Sequence, residues 1–399
     1  MIRHLLKLVW KRKMANALLI LEIFLSFLVL FVVTTLAVSM VTRYRKPLGF
    51  DYHDVWVGEI SIPSAASITP EQRARLFPVV NQLMREVRSL PEVESVAASI
   101  TPPYGQATWG ATLSAKGRRV DVIRDTVSDD FRQVLRMRLH AGRWFSTEDD
   151  AASMRPLVID SDAAEALFGT ENPIGADVNS GSDGHYRVIG VVDRFRKDGE
   201  FSTEHVNMVF GRLNFQAVKE EVPSNLLIRL RPGTPADFEE KLNKRLHAVA
   251  PDFAVRVRHM DQMRTFVNNL MMAPAIAGSV IAAFLIIMVA LGLSGVLWQS
   301  VTRRTRELGL RRALGATSGA VHRQVLIEVA LLSSLAVAVG VCVIAQLPLL
   351  GAFHLVSPSA CAIGLLAAAA TIYAITLTCG LYPSWLAGKV QPAQALHYE

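Results

Sequence analysis

The sequence predicts a membrane protein with four α-helical spans and one large extracytoplasmic α+β domain between the first two. Of its 399 residues, 51% are hydrophobic, and the apolar excess lies in four long blocks almost free of charge, as membrane spans require. The net charge of +7 comes from residues that flank these blocks. The chain outside 42–273 has 12 basic and four acidic residues, whereas 42–273 has 30 basic and 31 acidic residues. That balanced segment is long enough to bury its own core.

The charge and cysteine content narrow the classes of function. All of the excess positive charge flanks the apolar blocks, where it orients spans, so we expect no nucleic-acid partner. The three cysteines, Cys342, Cys361 and Cys379, all lie in apolar blocks. The sequence therefore contains no disulfide framework that would indicate a compartment.

A basic segment, residues 1–14, precedes the first apolar block. Its apolar side chains share one helical face, which predicts an amphipathic helix on the inner leaflet; a basic flank that only orients the first span explains the charges equally well. Residues 15–41 carry one charge, Glu22. A secretory signal peptide has the same layout, but its apolar region is only about 7–15 residues long. We therefore expect residues 15–41 to form the first transmembrane helix.

Two strand–helix–strand units repeat within residues 42–273, the predicted outer domain. Both predicted helices open with Thr-Pro, an N-cap residue followed by proline at the first helical position. Both close with Pro–acid–apolar, which breaks the helix and leads into a strand. The predicted elements are 54–61, 69–90 and 93–100 in the first unit and 225–231, 234–250 and 253–260 in the second.

An insertion, residues 103–207, separates the two units and is predicted to be rich in strands and turns. Asn172-Pro173 and Ser180–Gly184 have turn chemistry, and Val188–Val192 is typical of a buried strand. A short helix is expected near Ala163–Phe168. The predicted outer domain is therefore α+β, with two strand–helix–strand units flanking a β-rich insertion.

Three further apolar blocks predict the remaining spans, with a kink at Pro274. We expect these spans at 274–299, 325–350 and 360–384. The loop 300–324 holds six arginines and one acid, which predicts a cytoplasmic location, whereas the short turn 351–359 has no Lys or Arg and is expected outside. Residues 385–399 then form a cytoplasmic tail, so both termini are expected in the cytoplasm.

The loop between the second and third spans has a helical periodicity of its own. Apolar residues recur on one face of 307–314 beside two arginines, and Gly315 follows where a helix would stop. Thr317 or Ser318 can then N-cap the next helix. The arginines also act as topology signals, but that role does not explain the periodicity. We predict a short amphipathic helix whose apolar stripe fits the groove of a partner.

These motifs carry a family resemblance. The run RELGLRRALGA (306–316), followed by VHRQVLIEV (321–329), resembles the coupling region of the MacB/FtsX-like permeases of ABC transporters. The tail YPSWLAGKVQPAQALHYE (382–399) is similar to that family's closing motif. The stretch from GRWFSTEDD to FGTENPIGA (142–176) and YRVIGVVDRFR (186–196) resemble its periplasmic core domain. The motifs occur in the family's order and cover nearly the whole chain.

No catalytic constellation is found in the sequence. It contains no G-x-x-x-x-G-K-[ST] loop, whose backbone amides and lysine would hold phosphates, and no H-E-x-x-H, C-x-x-C or G-x-S-x-G motif. We therefore expect no catalytic residue, metal site or cofactor in this chain. An ATP-driven role then requires hydrolysis by another chain.

Two acids lie inside predicted spans, Glu22 and Glu328. Buried ionisable groups are costly in a membrane, so a proton or cation path is one interpretation. The other is that each carboxylate lies within about two turns of the cytoplasmic end, where it reaches headgroups or pairs with an arginine such as Arg323. We favour the second, because a carrier requires polar sites nearer the middle of the membrane.

The resemblance implies a transport subunit of the inner membrane, with its large domain in the periplasm, that is not itself an enzyme. It would work with a separate ABC ATP-binding subunit, which binds the ATP, and with a second permease copy or a sister permease. An export role adds a periplasmic membrane-fusion protein and an outer-membrane channel as partners. The implied ATPase-coupling interface is Glu307, Leu308, Gly309, Leu310, Arg311, Arg312, Ala313, Leu314, Gly315 and Ala316.

The resemblance implies that the chain transmits ATP-driven motion of the ATPase across the inner membrane to its periplasmic domain, and that this motion drives export. Two other mechanisms compete with this MacB-like one. A signalling complex like the division protein FtsX would regulate a cell-wall hydrolase without transporting anything, although FtsX usually has a smaller outer domain. A proton-coupled carrier using Glu22 and Glu328 would work without any ATPase. The outer domain shows no ligand signature, so the substrate is not predicted.

Overall fold

The computed structural model describes residues 13–61, 69–106, 108–181, 184–202, 207–214, 222–251, 253–303, 317–346 and 357–389. Two compact units divide the chain, residues 1–42 with 272–399 and residues 43–271. The described helices are α1 (Lys13–Tyr44), α2 (Pro70–Arg88), α3 (Phe131–Val134), α4 (Ser161–Phe168), α5 (Phe238–Val249), α6 (Met260–Arg303), α7 (Ser318–Ile344) and α8 (Pro358–Lys389).

Four of these helices, α1, α6, α7 and α8, are long and apolar enough to cross a membrane. Their apolar stretches are Ala17–Tyr44, Met260–Gln299, Leu326–Ile344 and Pro358–Leu381. Helix α6 differs from the prediction: it begins at Met260 and runs through Pro274 without a break. A proline removes a single backbone donor, so a long helix in an apolar setting can continue past it.

Residues 43–271 form an α+β domain whose described strands belong to one sheet system. The strands are β1 (Val55–Ile60), β2 (Val93–Ser99), β3 (Gly110–Ala115), β4 (Arg118–Val127), β5 (Leu139–Gly142), β6 (Arg155–Asp160), β7 (Asp177–Asn179), β8 (His185–Val192), β9 (Met208–Arg212), β10 (Asn225–Leu230) and β11 (Val255–His259). With the four long helices, this domain confirms the predicted fold class.

The two strand–helix–strand units share one antiparallel sheet in the order β11–β1–β10–β2. Each unit is split, because a strand of the other unit lies between its own two strands; this is a ferredoxin-like arrangement. Helices α2 and α5 pack on one face through a core that includes Leu83, Val96 and Leu242. The other face is also buried, which explains why all six residues of β10 are buried.

The insertion forms a closed ring of six strands rather than an open sheet. The pairing runs β4–β3–β7–β8–β6–β9 and returns from β9 to β4 in parallel register. Helix α4 packs Ala163 and Leu167 into the apolar interior of this ring. Closure removes free sheet edges. Strand β9 lies beyond residue 207, so the insertion extends further than the sequence predicted.

One helix start was predicted wrongly. Helix α5 begins at Phe238 with Asp237 as its N-cap, not at Thr234-Pro235. The Thr234 hydroxyl donates to the carbonyl of Arg231 at 2.7 Å, and the Phe238 amide bonds to the carbonyl of Pro235 at 3.1 Å. These local bonds form a separate turn before the helix, because threonine hydroxyls compete with helix formation for backbone groups.

Candidate functional site

The predicted ATPase-coupling interface, Glu307–Ala316, lies outside the described residues. Its flanks are described: α6 ends at Arg303 and α7 begins at Ser318. Thr317 is the N-cap of α7, and its Oγ1 accepts a hydrogen bond from the Ala320 amide at 3.3 Å. This confirms the predicted cap and shows that a new helix starts directly after the predicted interface.

Helix α1 meets the three other long helices at glycines. Cβ atoms built on Gly292 of α6, Gly340 of α7 and Gly364 of α8 would lie within 3.0 Å of side-chain atoms of α1. The α1 residues in these notches are Glu22, Phe27 and Thr35, respectively. Small residues let helices approach closely where lipid provides no hydrophobic driving force.

The two intramembrane acids occupy different helices of the bundle. Glu22 is half-buried on α1, with Oε2 2.7 Å from the position of a Cβ on Gly292. Glu328 is half-buried on α7. In the part of the chain that the structure describes, no group of three His, Cys, Asp or Glu side chains could hold a metal ion.

Hydroxyl groups also join the long helices. Thr34 Oγ1 donates to the carbonyl of Gly364 at 2.9 Å. Between α7 and α8, the Ser333 and Thr376 hydroxyls lie 2.9 Å apart, and those of Ser334 and Tyr373 lie 2.8 Å apart. Side-chain hydrogen bonds of this kind are a main source of helix association in lipid.

A second candidate site lies in residues 43–271, in the segment Asp193–Ser202 that follows β8. We call this segment the junction loop. Arg196, which is only 4% exposed, donates from Nη1 to the carbonyl of Arg43 at 2.8 Å and to that of Lys46 at 3.3 Å. Arg43 is in the last turn of α1 and Lys46 lies two residues beyond it, where helical hydrogen bonding stops and a cation is favoured.

The junction loop also contacts the first turns of α6. Glu200, 5% exposed, accepts from Arg264 Nε at 2.5 Å and from Asn268 Nδ2 at 3.2 Å. The Arg264 guanidinium also lies over the ring of Tyr52, 4.7 Å from its centroid. One loop therefore holds the end of α1 through a buried cation and the start of α6 through a buried anion.

Further contacts fix the junction loop to the core. The Lys197 side chain is fully buried and donates to the carbonyl of Gly105 at 2.9 Å. Gly199 has φ +86 and faces the ring of Tyr104, which leaves no room for a Cβ there. Tyr104 itself has φ +60, a left-handed conformation that is uncommon for an aromatic residue. Burial raises the pKa of the Tyr104 hydroxyl.

Asp160, at the end of β6, links the start of the junction loop to the closed ring of strands. Its carboxylate accepts from the amides of Ala163 at 2.9 Å, Met208 at 3.2 Å and Phe195 at 3.3 Å. Burial raises the pKa of Asp160 to about 7, although these three amides favour the charged form.

Sequence reasoning did not identify Arg196 or Glu200. It used YRVIGVVDRFR only as a sign of family resemblance. The available signal was a charged run, DRFRKDGE, directly after a buried strand and followed by an aromatic residue. Such a run normally predicts a solvated loop, and nothing in the spacing indicates that its charges meet two distant helices.

Comparison with known proteins identifies the family. Residues 17–245 match the MacB-like periplasmic core domain, and residues 279–392 match the FtsX-like permease C-terminal region. The macrolide export ATP-binding/permease protein MacB of Neisseria meningitidis is 25% identical over 76% of this chain and 47% of its own length. The protein of the same name from Shewanella sp. is 26% identical over 78% and 48%.

The chain thus spans about half the length of these curated relatives. The solved periplasmic region of MacB from Actinobacillus actinomycetemcomitans superposes with a TM-score of 0.40 at 16% identity, covering 55% of this chain and 95% of that one. The core-domain match extends over more than half of the chain, and the permease match covers the second half of α6 and all of α7 and α8. The chain belongs to the MacB/FtsX-like family of ABC transporter permeases.

Proposed function

We propose that this chain is a permease subunit that transmits ATP-driven motion of a separate ATPase to an extracytoplasmic domain, and that this motion drives export. The observation that carries the proposal is the course of α1 and α6. Each helix includes an apolar stretch long enough to cross a membrane, and each ends or begins within residues 43–271, where the junction loop holds it. Motion of either helix along its axis is then passed to the outer domain.

In the same proposal, Glu307–Ala316 receives the motion of the ATPase. This stretch docks on the ATP-binding subunit through its apolar residues, while its arginines set orientation. Both termini lie in the cytoplasm in this proposal. The excess basic residues lie before the first span and in the loop 300–324, and short basic segments are retained on the cytoplasmic side. The working unit is a dimer, of two copies or with a sister permease.

An FtsX-like signalling role is the second candidate, supported by the match of residues 279–392 to the FtsX-like permease region. The two roles share the transmission step and differ in what the outer domain moves. A partner that is a membrane-fusion protein supports export, and a partner that is a cell-wall hydrolase supports signalling.

The decisive experiment introduces two carboxylates into the predicted docking stripe. In Leu310→Asp/Leu314→Asp, the apolar groove of the ATPase would have to accept two charges, which costs on the order of a few kcal/mol and weakens the complex severely. The six arginines of the loop remain, so insertion is unchanged. Pull-down of the ATPase, together with a transport or resistance assay, measures the effect.

Thr305→Asp/Thr317→Asp is the matched control. It adds the same charge to the same loop away from the stripe, and Asp is itself a good N-cap at position 317. We expect this control to keep its ATPase. A Leu310→Asp/Leu314→Asp variant that is present at normal level, keeps its ATPase and stays active would show that the stretch is only a topology loop.

Orientation is tested by cysteine labelling in a variant lacking the three native cysteines. Ser153 is exposed and suits an outside probe, whereas Ser128 is 4% exposed and its Oγ accepts from the Ala98 amide at 2.9 Å. Ser153→Cys should react with an impermeant thiol reagent in intact spheroplasts. Ser318→Cys should react only after lysis, and its labelling in intact cells would overturn the four-span topology.

A further inference from the structure

The junction loop contains an unusual concentration of buried charged side chains. Arg196, Lys197 and Glu200 fall within five consecutive residues, and each is no more than 5% exposed. Long charged side chains are almost never fully buried unless they are paired. All three are paired, but two of their partners belong to α1 and α6 rather than to the core of the domain.

The contact with α1 resists displacement of that helix. The Arg196 guanidinium bonds four carbonyls: one in the last turn of α1, one just after that helix, and two, those of Glu200 and Ser202, within the junction loop itself. A planar guanidinium holds such a fork in one geometry, unlike a lysine ammonium. Tyr44 of α1 stacks on Phe201 of the loop, with ring centroids 5.9 Å apart. Movement of the α1 end therefore breaks several bonds at once unless the loop follows it.

The contact with α6 is of the opposite charge and equally buried. Glu200 uses one oxygen for Arg264 and the other for Asn268, residues four apart on one face of the helix. Removing either partner would leave a buried carboxylate incompletely paired, which is strongly unfavourable. A shift of α6 past the loop has the same consequence, so the loop and the start of α6 move together.

The loop can act as a link only if it is stiff, and its contacts make it so. Its first part is held by the Phe195 amide on Asp160 and by the Arg196 amide on the carbonyl of Leu48 at 2.9 Å. Its middle is held by Lys197 and by the close approach of Gly199 to Tyr104. These contacts with separate parts of the domain hold the loop in one conformation.

We infer that the junction loop is the mechanical link of this permease: Arg196 and Glu200 are positioning residues that make the end of α1, the start of α6 and the outer domain respond as one body to ATP binding. This inference rests on the proposed transmission function. It goes beyond that function in assigning the linkage to two side chains, neither of which touches substrate, nucleotide or ATPase.

The test uses the full chain in nanodiscs, in complex with the proposed ATP-binding subunit. A spin label on Ser153→Cys, in the cysteine-free background, reports the distance between the two copies of the dimer. It is measured without nucleotide and after trapping with ATP and vanadate. We expect a nucleotide-dependent distance change in the parent protein. Arg196→Gln and Glu200→Gln should reduce that change by about threefold or more, while ATP hydrolysis continues.

Arg194→Gln is the matched control. Arg194 lies two residues before Arg196 on the same loop and pairs with the buried Asp162 at 2.6 Å, but none of its described bonds reaches α1 or α6. It should keep the parental distance change even though it lowers the unfolding midpoint, because it leaves the buried Asp162 without this partner. Arg196→Lys, which keeps the charge without the fork, should give an intermediate response.

The outcomes distinguish the proposed transmission function from the proposed mechanical link. A parent protein with no nucleotide-dependent change overturns the proposed function. A parent that responds, with Arg196→Gln and Glu200→Gln responding equally, overturns the link alone. If those variants fail to fold, Tyr44→Cys/Phe201→Cys replaces them: oxidation to a disulfide should leave the response intact, because the loop and α1 already move together. Loss of the response on oxidation, restored by reduction, would also overturn the link.

Discussion

The long helices and the outer domain hold their polar groups in different ways. The described parts of the long helices share an apolar core, and their polar and close contacts are glycine notches and hydroxyl pairs, such as Gly340 with Phe27 and Ser333 with Thr376. In residues 43–271, cations and anions are buried with partners, as with Arg229, whose guanidinium bonds the carbonyls of Val134, His53 and Asp51.

The solvent explains this difference. In water, the hydrophobic effect drives the outer domain together and leaves a surplus that can carry buried charges. In lipid, tails are as apolar as leucine, so helices associate through close packing and hydrogen bonds. A substitution of the same kind should therefore have different effects in the two regions.

The largest expected effect is loss of a core aromatic ring. Phe210 and Phe27 are both fully buried, the first against Phe131, Trp144 and Phe195 and the second in the notch of Gly340. Phe210→Ala should destabilise the outer domain by about 3–5 kcal/mol, and Phe27→Ala should cost the bundle less. Hydrogen exchange of the full chain in nanodiscs measures both local opening free energies. Equal losses would break the comparison.

Filling a glycine notch comes next. A Cβ on Gly364 would lie 2.1 Å from Thr35 Oγ1 and 2.8 Å from its Cα, a backbone atom that cannot move aside. Gly364→Ala should therefore destabilise the bundle by about 1–3 kcal/mol. The control is Gly295→Ala, because nothing lies within 4 Å of a Cβ there; it should be neutral or stabilise the helix by up to about 1 kcal/mol. Thermal unfolding in detergent distinguishes them, and equal midpoints would contradict the notch.

A smaller effect depends on pH and belongs to the outer domain alone. Burial raises the pKa of Asp160 to about 7, above the value of about 3.9 in an unfolded chain. The folded protein therefore binds this proton more tightly, so its contribution to stability is present below about pH 4 and is lost as the pH rises to about 7. Against Asp160→Asn, the parental stability should fall across this window by at most about 1.4 kcal/mol per pH unit. If the unfolding midpoints of the parent and of Asp160→Asn change equally with pH, Asp160 is not the source of this pH dependence.

The smallest effect is expected at Glu22. We interpret it as a carboxylate that reaches the headgroups, so Glu22→Gln, which keeps the shape that fits beside Gly292, should leave transport within about twofold of the parent. The measurement is transport activity at matched membrane levels. Loss of activity, with transport persisting in the absence of any ATPase, would favour a proton-coupled carrier instead.

Much of the fold was predictable because local signals agreed with it. Proline and N-cap chemistry marked the start of α2, and Thr317 marked that of α7. The four apolar blocks predicted four long helices because length and hydropathy suffice for a membrane span. Where a local signal competed with another, as at Thr234, the prediction was wrong.

The sequence by itself determined the fold class, the repeat of the two strand–helix–strand units and the family, because each depends on periodicity or on local motifs. Only the tertiary structure decided that the insertion closes into a ring, that α1 lies in glycine notches, and that Arg196 and Glu200 are buried against different helices. These features pair residues distant in the chain, up to 330 positions apart for Thr34 and Gly364. No local pattern specifies such a partner, because the free energy of a buried charge or a helix contact depends on what packs against it.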